Sequence, residues 1–154
     1  MNWDEYFIDL SYCVAKKSKD PDTKVGCVIV GPDNEVRSTG YNSLPRGMDD
    51  SVKERYVRPE KYKWIEHAER NAIYNAAKIG TQLNGCRLYV QWYPCIDCAR
   101  AIIQVGINKI IVDNRDDNPW KNQGQEQEEQ WKLNMEKSIQ MLVECGVLIA
   151  YWPE

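Results

Sequence analysis

The apolar positions along this chain change period several times, and each change marks a boundary. Trp3, Tyr6, Phe7, Leu10 and Val14 recur at helical spacing, which predicts an N-terminal helix over residues 3–17 with that set as its buried face. Asp20-Pro21, within "SKDPDTK", ends it. "VGCVIV" (25–30) and "EVRSTGY" (35–41) are short β-rich runs flanking the turn "GPDN", the pattern of a hairpin. Residues 43–66 carry no clean period and contain Pro45, Gly47 and Pro59, so a long functional loop is expected there.

Beyond residue 66 helices and strands alternate. A helix is expected over 67–80, stopped by Gly80, and a strand over 86–92. A second helix starts directly after Pro94 and runs to Gly106, followed by a strand at 109–113. After the loop "NRDDNPWKNQGQ", a C-terminal helix opens on the acidic "EQEEQ" and carries an apolar stripe of Trp131, Met135, Ile139 and Leu142. "VLIAYW" (147–152) is the last strand. This order predicts an α/β protein: a three-layer α/β/α sandwich around a mixed sheet of roughly five strands, formed as one domain over 1–154.

Composition narrows the setting. No apolar run approaches the ~20 residues of a membrane span, and the acidic, polar start "MNWDEYFIDL" is unlike a signal or transit peptide. A cytoplasmic protein without a membrane partner is expected. The net charge of −3 argues against a nucleic-acid substrate, which calls for a basic face. The six cysteines are then expected as thiols or metal ligands, not as a disulfide framework. Cys13, Cys27, Cys86 and Cys145 fall in expected helices and strands as small core residues.

The candidate chemistry gathers around His67, the only histidine in the chain. Alone, a histidine beside an apolar helix is more often a packed residue than a ligand. Here it opens "HAERNAI", with Glu69 two residues on, and "YPCIDC" places Cys95 and Cys98 in the first turn of the helix after Pro94. Helix N-terminal amides favour thiolates there. One nitrogen and two thiolates fit tetrahedral Zn²⁺ with its fourth position left open, as catalytic sites keep it. No second histidine is available to close the shell. Zinc would acidify bound water, and Glu69 would carry the proton to the ring nitrogen and the departing amine. Residues two apart on a regular helix face different sides, so this reading requires His67 to sit at the irregular start of its helix. The pattern H-x-E followed by P-C-x-x-C is the general signature of zinc nucleobase deaminases.

Several segments together, "SKDPDTKVGCVIV", "STGYNSLPRGMDD", "HAERNAI" and "YPCIDCARAIIQVGI", resemble the deoxycytidylate (dCMP) deaminases over about residues 8–113. The resemblance implies a cytidine deaminase-like fold, hydrolysis of dCMP to dUMP for thymidylate synthesis, and a homohexamer activated by dCTP and inhibited by dTTP. It implies one catalytic Zn²⁺ per chain on His67, Cys95 and Cys98, with Glu69 as proton shuttle and Mg²⁺ as companion of an effector triphosphate. Asn42 matches the sugar-holding position. Lys19, Lys24 and Arg115 are candidates for the 5′-phosphate, and the backbone around Trp92 and Tyr93 for the base pocket. Gly40, Tyr41, Asn42, Ser43, Arg46 and Lys78 map to the family's allosteric site, with Lys53, Arg55 and Arg58 as further triphosphate contacts.

The chain departs from the family at Ser43, where glycine is usual and can adopt φ > 0, and at Lys78, where an arginine can stand. A structural zinc that uses histidine in some relatives is not expected, since His67 is already committed. Deamination of dCTP, or of both nucleotides, stays open on the sequence. So does a non-catalytic zinc or nucleotide-sensing module, against which Glu69 argues.

Overall fold

The computed structural model describes residues 1–119 and 129–154. Five strands, β1 (Gly26–Val30), β2 (Val36–Tyr41), β3 (Arg87–Val90), β4 (Lys109–Asp113) and β5 (Leu148–Trp152), form one sheet in the order β2-β1-β3-β4-β5. The β1–β2 hairpin is antiparallel, and β1 also pairs antiparallel with β3. The β3–β4 and β4–β5 pairs are parallel. The mixed sheet is the one the alternation of elements predicts.

Period-two alternation along the strands feeds two separate cores. Cys27, Ile29, Leu88, Val90, Ile110 and Val112 point to one face, where α3 (Ala68–Ile79), α4 (Ile96–Gln104) and Leu142 of α5 (Glu129–Glu144) cover them. Val28, Val30, Tyr89 and Ile111 point to the other, beneath α1 (Trp3–Ala15). Three layers result.

α1 corrects one expectation. Its inward positions are 4, 7, 8, 11 and 15, each one residue later than the expected set: Phe7, Ile8, Ser11 and Ala15 are buried, and Asp4 accepts a hydrogen bond from the Tyr89 hydroxyl at 2.6 Å. Trp3 and Tyr6 face outward. The reason is backbone proximity. A Cβ on Gly26 would lie 2.0 Å from the Ser11 carbonyl oxygen, so the helix can seat its small residues directly on β1. The same rotation leaves Cys13 exposed; Cys145, just past α5, is exposed too, and of the four cysteines expected in the core only Cys27 and Cys86 lie there.

The 43–66 segment is not structureless. It contains a 3₁₀ turn (Lys53–Tyr56) and a short helix, α2 (Lys61–Trp64). Its two ends meet in an antiparallel bridge, with Ser43 N–H donating to Glu66 O at 3.1 Å and Glu66 N–H to Ser43 O at 2.8 Å. The expected start of the C-terminal helix at "EQEEQ" falls largely outside the described residues. Its stripe is as expected in Met135 and Leu142, which are buried. No helix among the described residues is long and apolar enough to cross a membrane.

Candidate metal and substrate site

The two metal-ligating motifs meet just past the carboxyl end of β3, the central strand, on the side where open α/β sheets generally place their ligands. His67 is the N-cap of α3, with extended backbone (φ −78°, ψ 153°), and Cys95 is the N-cap of α4 (φ −69°, ψ 173°). The irregular start required of His67 is present. Its Nδ1 lies 3.4 Å from Cys95 Sγ and 3.6 Å from Cys98 Sγ. Tetrahedral zinc with bonds of roughly 2.0–2.1 Å to nitrogen and 2.3 Å to sulfur separates N and S by about 3.6 Å, so the donor set is already at the spacing such an ion needs. Among the described residues these three make up the metal-capable cluster.

Glu69 converges on the same point. Its Oε2 is 3.6 Å from Cys98 Sγ, and the residue is 5% exposed. Burial pushes its carboxyl above the ordinary value of 4.5, with His67 opposing that rise. The two thiols divide the charge in the metal-free chain. The hydrogen bond from Cys98, then that from His67, holds Cys95 down at about 3, while Cys98 is driven up by its bond to Cys95 and by burial.

Supporting contacts beyond the donor atoms fix this geometry. Glu66 accepts from the His67 N–H at 3.0 Å and pairs with Arg70, which reaches Asp97, between the two cysteines, at 3.5 Å. The α3 and α4 starts are thereby clamped together. Ser138 of α5 donates to the Pro94 carbonyl at 2.6 Å, pinning the turn that delivers Cys95. Sequence reasoning misses this residue, although its place on the apolar stripe, between Met135 and Leu142, is a signal: a polar residue on a buried face needs a partner. Gln91, fully buried, accepts from Gly26 N–H at 2.9 Å and donates to Ser11 Oγ at 2.6 Å.

The remaining predicted residues separate into distinct neighbourhoods. Asn42 is 6% exposed; its Oδ1 accepts from Val25 N–H at 2.9 Å and its Nδ2 donates to Thr23 O at 2.8 Å. Lys24 donates to the Ser18 carbonyl. Trp92 stacks on Trp131 at 6.4 Å, and the Tyr93 hydroxyl donates to that of Tyr151 at 2.7 Å, directly before the Pro94–Cys95 turn.

Lys19 stands elsewhere. It pairs with Asp50 at the rim of a cavity of about 220 Å³ whose walls include Lys17, Tyr41, Ser43 and Arg46. Tyr41, Ser43 and Arg46 of the expected allosteric group therefore share one cavity, whereas Gly40, Asn42, Lys78, Lys53, Arg55 and Arg58 are not among its walls. Gly40 serves packing: a Cβ there would sit 2.3 Å from Ala72 N of α3. Ser43 needs no left-handed backbone, since Asn34 is the non-glycine residue with positive φ among those described; its Oγ accepts from Asn71 at 3.1 Å.

Arg115 is matched by two carboxylates, Asp9 at 2.8 Å and Asp113 at 3.1 Å, and packs against Tyr12 and Trp152. It borders a second cavity, with Asp9, Tyr12 and Lys16, that none of the metal cluster lines. In the ligand-free chain its guanidinium is thus held by ion pairs on both sides.

With this geometry in place, comparison with known proteins decides the family. A family model for the cytidine and deoxycytidylate deaminase zinc-binding region matches residues 1–114. The chain belongs to that family. Within it, human deoxycytidylate deaminase is 40% identical over 116 residues, covering 72% of this chain and 64% of the human protein. The chain thus spans a little under two thirds of that relative's length. A protein from Aliivibrio fischeri described as an uncharacterised deaminase in the luxG 3′ region is 34% identical over 151 residues, with 98% and 94% coverage. The dCMP deaminase of cyanophage S-TIM5, solved with dCMP and dUMP, superposes with a TM-score of 0.72 at 22% identity over 96% of this chain and 94% of that one. That likeness establishes the fold, the one that the resemblance implies.

Proposed function

We propose that this protein is a zinc-dependent deaminase that converts dCMP and water into dUMP and ammonia, supplying dUMP for thymidylate synthesis. The observation that carries the reading is the buried Glu69 carboxylate, 3.6 Å from Cys98 Sγ in a cluster with three metal donors. A structural zinc needs no proton carrier, and its shell is closed by a fourth protein ligand. The human relative, named a deoxycytidylate deaminase, supports the substrate class.

His67, Cys95 and Cys98 would hold the zinc, which when bound supplies an acidified water and Lewis acidity. Glu69 takes one proton from the attacking water and delivers it to the ring nitrogen. It then carries the second, from the hydroxyl newly bonded to carbon, to the leaving amine, which departs as ammonia as the carbonyl forms. Its raised affinity for protons, a consequence of burial, suits both halves of that transfer. Asn42 meets the sugar, the backbone around Trp92 and Tyr93 lines the base, and Lys24 takes the 5′-phosphate. Lys19 belongs instead to the effector site, the cavity walled by Tyr41, Ser43 and Arg46, where Lys17, Lys19 and Arg46 suit the phosphates of dCTP or dTTP, with Mg²⁺ accompanying them. Regulation of this kind accords with a cytoplasmic homohexamer.

The test is ammonia release from zinc-loaded protein offered dCMP, dCTP, deoxycytidine and CMP separately, each with and without dCTP or dTTP as second ligand. Turnover of dCMP, altered by the second nucleotide, is the expected result. Preferential turnover of dCTP would reassign the phosphate site. No ammonia from any of the four, with zinc in place, would overturn the reading.

A further inference from the structure

Lys61 is a charged side chain that the proposed reaction does not use, and it is 5% exposed, on the short helix α2. Its Nζ lies 2.7 Å from Oδ2 of Asp20, itself 1% exposed, and among the described residues neither atom has a partner but the other. Stability does not explain such a pair. Desolvating two charges roughly cancels their attraction, and apolar residues of similar volume often do as well or better.

What the pair holds is a loop. The other oxygen of Asp20, Oδ1, accepts from the N–H groups of Asp22 at 2.9 Å and Thr23 at 3.1 Å, folding "DPDTK" into an Asx turn. That turn aims the Thr23 carbonyl at Asn42 Nδ2 (2.8 Å), while the Val25 N–H that follows is bonded to Asn42 Oδ1 (2.9 Å). Ser18 closes the ring by donating to the Asn42 carbonyl at 2.8 Å and accepting from Asp20 N–H at 3.3 Å. These bonds fix which end of the Asn42 amide is oxygen and which is nitrogen. Each end retains capacity for one more bond: a second N–H on Nδ2 and a second lone pair on Oδ1.

We propose that the Lys61–Asp20 ion pair is a positioning device for the substrate sugar, holding the Asx turn that orients Asn42 so that its free N–H and lone pair meet a sugar hydroxyl. The proposal rests on the reading of Asn42 as the sugar contact. Lys61 and Asp20 are positioning residues, forty-one positions apart in the chain, and neither touches substrate. Lys61 also lies in the same 43–66 segment that walls the 220 Å³ cavity, so the loop over the sugar is anchored to the segment that borders the effector site.

The experiment uses the zinc-loaded full chain. Removing one partner alone would leave a buried unpaired charge and threaten folding, so the pair is changed together, Asp20→Asn with Lys61→Met, beside the conservative Lys61→Arg. The double substitution is expected to raise the KM for dCMP about tenfold with kcat at saturation changed less than about twofold, and Lys61→Arg to stay within about twofold of wild type. In a cycle with Asn42→Ala, which raises KM by itself, the pair substitution should add less than about twofold, because its effect runs through Asn42. A KM unchanged in the pair variant, or its full effect on top of Asn42→Ala, overturns the proposal. Asn42→Ala with unchanged KM overturns the sugar contact and the proposal with it. A second readout needs no turnover: exchange of the Val25 amide hydrogen should be at least about tenfold faster in the pair variant. Unchanged protection overturns the positioning role even if the wild type fails to deaminate dCMP, a failure that by itself would count only against the substrate assigned above.

Discussion

Glu69 shows what burial does to a single carboxyl. In the metal-free chain its folded-state proton affinity exceeds that of the unfolded chain, so its contribution to stability is fully present below the ordinary value of 4.5 and is lost as pH rises through the higher folded value. Glu69→Gln in zinc-stripped protein should therefore melt a few degrees above wild type at pH 7–8, an advantage that shrinks toward pH 4.5 and vanishes below it. An advantage that grows on acidification would contradict the sign. In the zinc-loaded protein the same substitution should leave zinc content unchanged, by metal analysis, and lower the proposed dCMP turnover by about 10²–10⁴-fold, the usual contribution of a positioned acid–base group.

At the scale of elements, the site depends on how α3, α4 and α5 dock. Ser138 is fully buried, and its hydroxyl satisfies the Pro94 carbonyl. Ser138→Ala should cost about 1–3 kcal/mol, the penalty for an orphaned buried acceptor, read as a lowered melting temperature. α3 lies so close to β2 that a methyl group at residue 40 would meet Ala72 N at 2.3 Å. Gly40→Ala should destabilise by about 1–3 kcal/mol through overpacking. Because α3 also carries His67 and Glu69, it should weaken zinc binding in a chelator competition, whereas Ala at the exposed Lys78 should do neither.

For the whole molecule, zinc links segments that lie far apart in sequence. His67 at the start of α3 and Cys95 and Cys98 at the start of α4 come together only when β3 is in place. Metal binding should then add to folding stability, and chelation should lower the melting temperature of the whole chain in one cooperative step. Because the ligands must be deprotonated, zinc retention against a fixed chelator should fall as pH drops. Retention that is flat with pH would exclude the two thiolates as ligands. Light scattering is expected to find a multiple of the 18.0 kDa chain, six-fold in the proposed hexamer.

Features written in contiguous residues are legible in the amino-acid sequence alone. Strand alternation, the breaks at Pro21, Gly80 and Gly106, and the spacing of His67-x-Glu69 and Cys95-x-x-Cys98 fix local geometry directly, because cap positions and the first helical turn need only near neighbours. Features that depend on what a residue meets are not legible there. The N-terminal helix shows an apolar face in its spacing, but the missing Cβ of Gly26 turns it by one position, a choice made by contact and not by hydrophobicity. Arg115 reads as one basic residue of a loop, and only the folded chain sets Asp9 and Asp113 beside it. Lys19 stands five residues from Lys24 but lines a cavity whose walls do not include Lys24. Lys61 reads as one more basic residue of a charged loop, and only the folded chain sets Asp20 beside it, out of water. Layer order and metal donors follow from short-range pattern, so the linear chain suffices for both. Which charges are free to meet a ligand is settled only on folding, because it depends on the long-range neighbour each charge finds first.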